Sequence, residues 1–101
     1  MSNTSEALLV LNEEKKRFEL EVEGKIAFIE YILSTENIIF LTHTEVPVGL
    51  EGKGVGSTIV SKTLEFIKEK KYTLAPLCPF VGAYVKRHSE WKEILAKGYN
   101  V

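Results

Sequence analysis

Hydrophobic and polar residues alternate along the first third of the chain, and this pattern predicts β-strands. A short apolar run covers residues 8–11, and strict alternation follows over residues 17–23. A period of two is typical of a strand with one buried face. Residues 25–33 and 38–46 are apolar on both faces and rich in β-branched and aromatic side chains, which favours central strands. Short turns between these segments predict an antiparallel meander of four strands.

The pattern then changes to a helical period. Over residues 57–70 the apolar positions recur every three or four residues, as in a helix that packs on a sheet. Residues 72–78 have the composition of a fifth strand. Because a strand, a crossover helix and a strand follow one another, we expect the fourth and fifth strands to be parallel. Shorter helices are predicted at residues 80–88 and 89–95, the latter with Ser89 as its N-cap.

These elements together predict an α+β fold, in which a four-stranded antiparallel meander is joined by a parallel fifth strand and two to three helices. The length of 101 residues suits one domain over residues 1–101. A hydrophobic fraction of 45% and a charged fraction of 27% are ordinary globular values. Residues 1–6 are polar, and we expect them to be disordered.

Composition and charge narrow the classes of function. The net charge of −1 argues against a nucleic-acid binder that uses a general basic surface. No apolar run approaches the length of a membrane span, and residues 1–6 lack the basic region and apolar core expected of a signal peptide. The single cysteine, Cys78, rules out an internal disulfide and fits a reducing compartment. With only His43 and His88 beside it, spacing predicts no metal site. We therefore expect a cytoplasmic monomer or weak dimer.

A glycine-rich segment joins the predicted fourth strand to the first helix. Residues 45–58 contain four glycines, Gly49, Gly52, Gly54 and Gly56. Glycine permits positive φ angles and lets a ligand approach bare amides. The helix that follows offers unpaired N–H groups and the positive end of its dipole. This arrangement predicts an anion site for a phosphate or pyrophosphate.

Two common phosphate loops do not fit this segment. A P-loop requires Ser or Thr after its lysine, whereas Gly54 follows Lys53. A dinucleotide fingerprint requires a third glycine and an early βαβ unit. Here Ser57, Thr58 and Ile59 follow Gly56, and antiparallel strands precede the loop. The segment therefore belongs to another class of phosphate loop.

Residues 50–56 (Leu-Glu-Gly-Lys-Gly-Val-Gly) resemble the coenzyme A pyrophosphate loop of the GCN5-related N-acetyltransferases, with the pattern Arg/Gln-x-x-Gly-x-Gly/Ala. Gly54 and Gly56 fill the two small positions, and Glu51 stands where Arg or Gln is usual. Residues 43–47 and the segment from Pro76 to Trp91 resemble the small, single-domain, YjdJ-like branch of this superfamily. The resemblance covers about residues 8–96 and implies direct transfer of an acetyl group from acetyl-CoA to an amine.

The resemblance also implies which residues contact acetyl-CoA. The backbone from Glu45 to Pro47 would pair with the pantetheine arm, and loop amides would take the pyrophosphate. Arg87 is a further candidate because a guanidinium pairs well with phosphate. The implied cofactor-binding residues are Val46, Pro47, Gly52, Lys53, Gly54, Val55, Gly56, Ser57, Tyr84 and Arg87. For Tyr84 a place in the core is the alternative.

Three residues are candidates for the chemistry. Cys78 is expected opposite the end of the fourth strand, where it would be an acyl-accepting nucleophile, a proton donor to the leaving thiolate, or a small buried filler. His43 and Glu45 are candidate general bases on that strand. The structural alternatives are a partly buried histidine that supports the sheet and a solvated carboxylate at the strand end.

The sequence thus favours an acetyl-CoA-dependent N-acetyltransferase whose acceptor is a small amine or a protein lysine. The alternative is a non-catalytic module that binds or senses acyl-CoA or CoA. A third hypothesis is a protein-interaction domain that keeps the fold without the cofactor, and Glu51 is its only support.

Overall fold

The computed structural model describes residues 7–101, so the disorder expected at residues 1–6 lies outside the described part of the chain. Five strands form one sheet in the order of the sequence: β1 (Leu9–Asn12), β2 (Arg17–Val22), β3 (Lys25–Leu33), β4 (Ile38–Glu45) and β5 (Thr73–Pro76). The helices are α1 (Val55–Glu69), α2 (Pro79–Arg87) and a 3₁₀ helix (Ser89–Ile94). Strands β1 to β4 are antiparallel and β5 is parallel to β4, so the predicted α+β fold is confirmed.

The helix starts differ from those predicted. Helix α1 begins at Val55 instead of residue 57, because Gly54 precedes it with a φ angle of 75° and turns the chain directly into the helix. The prediction that Ser89 is an N-cap was wrong. His88 holds that position without a side-chain hydrogen bond, and the turn that follows is a 3₁₀ helix.

Strand β1 is shifted by one residue from its predicted position, and strand β5 is shorter than predicted. Strand β1 begins at Leu9, and the preceding Leu8 is 82% exposed. Strand β5 ends at Pro76, because the amide of Leu77 donates to the carbonyl of Ala75 and turns the chain away from β4. This early turn leaves room between the ends of β4 and β5.

Helix α1 covers one face of the sheet, and the core lies between them. Its buried stripe includes Ile59, Val60, Leu64 and Ile67, as the helical period predicted. The covered face of the sheet contributes Phe18, Leu20, Ala27, Ile29 and Leu41. On the opposite face, aliphatic side chains of β1 and β3 stay largely exposed, and we refer to this side as the open face.

A β-bulge in β4 determines which side chains share a face. The pairing of β4 with β3 shifts register between Glu30 and Tyr31, which leaves Thr42 as the extra residue. Because of this insertion, Thr44 lies on the same covered face as Leu41. The residues on either side of Thr44 therefore lie on the open face.

The open face carries a partly buried ion pair. Arg17 Nε donates to Glu19 Oε2 at 2.6 Å, and Asn12 donates to the same oxygen at 3.1 Å. The hydrogen bond from Arg17 lowers the pKa of Glu19 below its ordinary value, against the opposing effect of burial, and Asn12 adds to the lowering. Because the pKa of the folded protein is below that of the unfolded chain, this stabilisation is present at neutral pH. It is lost as the pH falls from about 4.3 through the folded value.

A Glu19→Gln variant is expected to be about 1 kcal/mol less stable than the wild type at pH 7. The difference should shrink as the pH is lowered toward 3, where the wild-type carboxylate also begins to bind its proton. Urea unfolding at several pH values measures this. Glu36→Gln, at the exposed β3–β4 turn, is the control. An equal loss of stability at every pH would mean that Glu19 contributes by packing alone.

Candidate functional site

The glycine-rich loop is anchored at its centre by a buried side chain. Leu50 is only 1% exposed, its amide donates to the carbonyl of Pro47, and its carbonyl accepts from the amide of Lys53. Gly49 and Gly52 flank it with φ angles of 98° and 79°, which favour glycine. The loop is therefore a defined structure that brings its backbone to the start of α1.

Helix α1 begins with an N-terminus that has no cap. No side chain hydrogen-bonds to its first turn, and that turn contains no acidic residue. Within residues 7–101 the amides of Val55, Gly56 and Ser57 have no hydrogen-bond acceptor. Unpaired amides at the positive end of a helix dipole favour an anion.

A cleft of about 290 Å³ lies over this helix start. It is lined by Val46, Leu50, Glu51, Gly52, Gly54, Val55, Gly56, Ser57 and Phe80. Six of the ten residues that the sequence assigned to the cofactor lie here: Val46, Gly52, Gly54, Val55, Gly56 and Ser57. The structure thus brings the loop, the end of β4 and the start of α2 to one place.

The other four predicted cofactor residues lie outside this cleft. Pro47 contributes a carbonyl to the loop, and the Lys53 ammonium is 3.0 Å from the carboxylate of Glu23. Tyr84 is 7% exposed and stacks on His88, although it also lines a neighbouring cleft between α1 and α2. Arg87 is at the far end of α2, roughly 10 Å along the helix from the turn that approaches the loop.

Phe80 is a site residue that the sequence analysis missed. A Cβ atom placed on Gly56 would lie 2.6 Å from the tip of the Phe80 ring, so a larger residue fits there only if the ring moves. Gly56 is helical and has no positive φ, so the expected need for backbone freedom was wrong at this position. The structure shows a different constraint at Gly56, the close approach of the Phe80 ring. The only available signal was an aromatic residue just after Cys78 and Pro79, at a predicted helix start.

Strands β4 and β5 separate next to this cleft. Their pairing ends at Leu41 and Pro76, and the amide of Cys78 makes a last bond of 2.8 Å to the carbonyl of Leu41. Beyond that point, the edge of β4 that faces β5 pairs with no other strand among the described residues. Its free backbone groups can accept an extended ligand as an added strand.

Cys78 lies at this opening, on the covered side of the sheet. It is 4% exposed, and its Sγ is 3.3 Å from Thr44 Oγ1. No basic side chain in the described part of the chain bonds to it. The pair can exchange a proton between a thiol and a hydroxyl, but it includes no base that would make a thiolate. Thr44 was not predicted, although its alternation with His43 along β4 was a usable signal.

His43 and Glu45 form a second pair on the open face. His43 Nε2 lies 2.7 Å from Glu45 Oε1, and both side chains are more than half exposed. The alternative that His43 is a partly buried supporting residue is therefore wrong. Both predicted bases meet here, but the bulge keeps them on the opposite side of β4 from the Thr44–Cys78 pair. No group of three potential metal-binding side chains occurs among residues 7–101.

Comparison with known proteins gives the following matches. A family described as GCN5-related N-acetyl-transferase matches residues 17–94. Among solved structures, the NMR solution structure of a GCN5-like protein from Staphylococcus aureus superimposes with a TM-score of 0.69 at 22% sequence identity. That match covers 95% of this chain and 91% of the other, and it supports the fold. No protein with curated function matches the sequence. Across the described residues, every helix is too short or too polar to cross a membrane.

Proposed function

The chain belongs to the GCN5-related N-acetyl-transferase family, and on that basis we propose that it transfers an acetyl group from acetyl-CoA to an amine. The observation that carries this proposal is the uncapped start of α1, which opens on a cleft beside the gap between β4 and β5. Coenzyme A has a pyrophosphate that suits the helix start and an extended arm that suits the gap between β4 and β5. Bound there, its thioester supplies the acetyl group.

The residues around the cleft fit this ligand. The free amides of Val55, Gly56 and Ser57 would hold the pyrophosphate, since helix N-termini bind phosphate groups well. The apolar side chains of Val46 and Phe80 would line the path of the arm toward the gap between the strands. In this orientation the reacting end of the ligand would lie near Cys78.

The two side-chain pairs would divide the proton transfers between them. On the open face, His43 takes a proton from the acceptor ammonium, and the Glu45 carboxylate orients its ring. The amine nitrogen then bonds to the carbonyl carbon as the carbon–sulfur bond breaks, and the nitrogen releases its extra proton to water. On the covered face, Cys78 donates its thiol proton to the leaving sulfur and regains a proton from water through Thr44. Because no base adjoins Cys78, we favour this role over that of a nucleophile.

The acceptor would approach from the open face, where His43 is exposed. No described helix covers that face, so either a small amine or a protein lysine can reach it.

We also propose that the chain is one cytoplasmic domain of the YjdJ-like branch and that it acts as a monomer or weak dimer. The single cysteine supports the cytoplasmic location, and the family match over residues 17–94 supports the single domain.

A second function has its own support. Cys78 is almost fully buried with Thr44 as its only side-chain partner in the described chain, and His43 lies across the strand from it. A protein that binds acyl-CoA without transferring the acyl group does not need His43 and Cys78 to lie closer together. The alternative is therefore a non-catalytic acyl-CoA or CoA sensor.

Thermal unfolding with acetyl-CoA or CoA tests both functions. At a concentration of about 100 times Kd, a ligand adds about 2.7 kcal/mol to the stability, which raises the Tm of a domain of this size by roughly 10 °C or more. Thiol release with a panel of amines and lysine peptides then identifies an enzyme. A folded protein whose Tm does not change would contradict both functions, and binding without thiol release would leave the sensor.

A further inference from the structure

One peptide unit of the glycine-rich loop lies between two opposite charges. The Lys25 ammonium donates to the carbonyl of Val48 at 2.9 Å. The Glu51 carboxylate accepts from the N–H of Gly49 at 3.0 Å. This carbonyl and this N–H belong to the same peptide bond, so the loop backbone holds the Glu51 carboxylate at a fixed position.

That position is beside the cleft proposed for coenzyme A. Glu51 lines the cleft together with the glycines and the first residues of α1. Lys53, the nearest cation along the loop, does not neutralise it, because its ammonium pairs with Glu23 at 3.0 and 3.2 Å. No cationic side chain among the described residues forms an ion pair with Glu51. The carboxylate therefore brings a negative charge without an ion-pair partner to an anion site.

We propose that Glu51 sets the affinity for coenzyme A by opposing its pyrophosphate, and that it keeps this affinity low. This inference rests on the proposed function. The hydrogen bond from the Gly49 amide holds the carboxylate at the cleft, where its charge repels the phosphate. For unit charges about 6 Å apart, a distance comparable to the width of such a cleft, the repulsion weakens binding by roughly three- to a hundredfold.

Replacing Glu51 by Gln isolates the charge. The Gln side chain keeps an oxygen that can accept from Gly49, so the loop retains its hydrogen bond. We expect Glu51→Gln to bind CoA about tenfold more tightly than the wild type at low salt, as measured by isothermal titration calorimetry. The advantage should shrink toward unity near 1 M salt, where the screening length is about 3 Å. Affinity for pantetheine, which lacks the pyrophosphate, should stay unchanged.

Two further variants separate charge from loop structure. Glu36→Gln makes the same charge change at the opposite end of β4 and should leave CoA affinity within twofold of the wild type. Glu51→Ala also removes the hydrogen bond to Gly49, and it too should bind CoA more tightly. Equal or weaker binding by the Gln variant would overturn the inference, and Glu51 would then serve only to order the loop. If neither the wild type nor the Gln variant binds CoA, the proposed function fails as well.

Discussion

A Gly56→Val variant is expected to bind CoA at least a hundredfold more weakly than the wild type while remaining folded. The new side chain would point at the Phe80 ring, whose tip lies 2.6 Å from the Cβ position, and both groups would crowd the cleft. We expect this crowding to break at least two charge-assisted hydrogen bonds between the helix amides and the pyrophosphate. Two such bonds are worth about 3–6 kcal/mol, so their loss should weaken CoA binding by more than a hundredfold. Calorimetry or thermal shift with CoA measures the loss, and far-UV circular dichroism reports the fold.

Gly82→Ala is the matched control for this variant. Gly82 lies within α2, and a Cβ atom there would meet its nearest neighbours at 3.9 and 4.0 Å, which is ordinary contact. Alanine should stabilise the helix by up to about 1 kcal/mol without changing CoA affinity. Adding Phe80→Ala to Gly56→Val should restore stability lost to the clash. Wild-type CoA affinity in the Gly56→Val protein would show that the cleft has been assigned to the wrong ligand.

A Cys78→Ala variant is expected to lose about two orders of magnitude in kcat with little change in the KM for acetyl-CoA. The thiol is the proposed proton donor to the leaving sulfur, and a positioned acid contributes roughly 10²–10⁴-fold to such a step. Because Cys78 lies on the covered face and Phe80 and Val46 line the cleft, binding should survive the change. Steady-state kinetics of thiol release with the best amine measures both constants.

Cys78→Ser and Thr44→Val refine this prediction. Serine keeps a hydroxyl that can donate a proton, so it should retain more activity than alanine. Thr44→Val removes the group that lies 3.3 Å from Sγ and should lower kcat by about tenfold, since it affects reprotonation only. If Cys78→Ala turns over at the wild-type rate, the cysteine is a packing residue. The His43–Glu45 pair would then hold the remaining candidates for proton transfer.

Much of the fold could be predicted because it follows from local periodicity. Alternation from Phe18 to Val22 and the helical stripe from Ile59 to Ile67 reflect which side chains must be buried, and burial is the main driving force of folding. Element ends were less predictable. Whether α1 begins at Val55 depends on the backbone conformation of Gly54, which the sequence permits without requiring it.

Part of the site could be predicted because its residues are close together in the sequence. The loop amides and Val46 come together by local folding alone. Contacts between distant residues were not foreseen. The pair of Lys53 with Glu23 joins residues that are thirty positions apart, and the ring of Phe80 reaches Gly56 from another helix. Such contacts depend on how elements pack, and one sequence carries no direct signal of packing.

The sequence by itself determined the order of the strands, the helix that covers them and the glycine-rich loop, since each follows from periodicity or from the conformations that glycine allows. Only the tertiary structure decided how the candidate residues are grouped. The bulge at Thr42 places Thr44 with Cys78 and leaves His43 with Glu45 on the other face, because one inserted residue reverses the alternation of a strand. The tertiary structure also brought the Glu51 carboxylate to the Gly49 amide and paired Lys53 with Glu23. These three-dimensional pairings, and not the motif, define the chemistry proposed for the site.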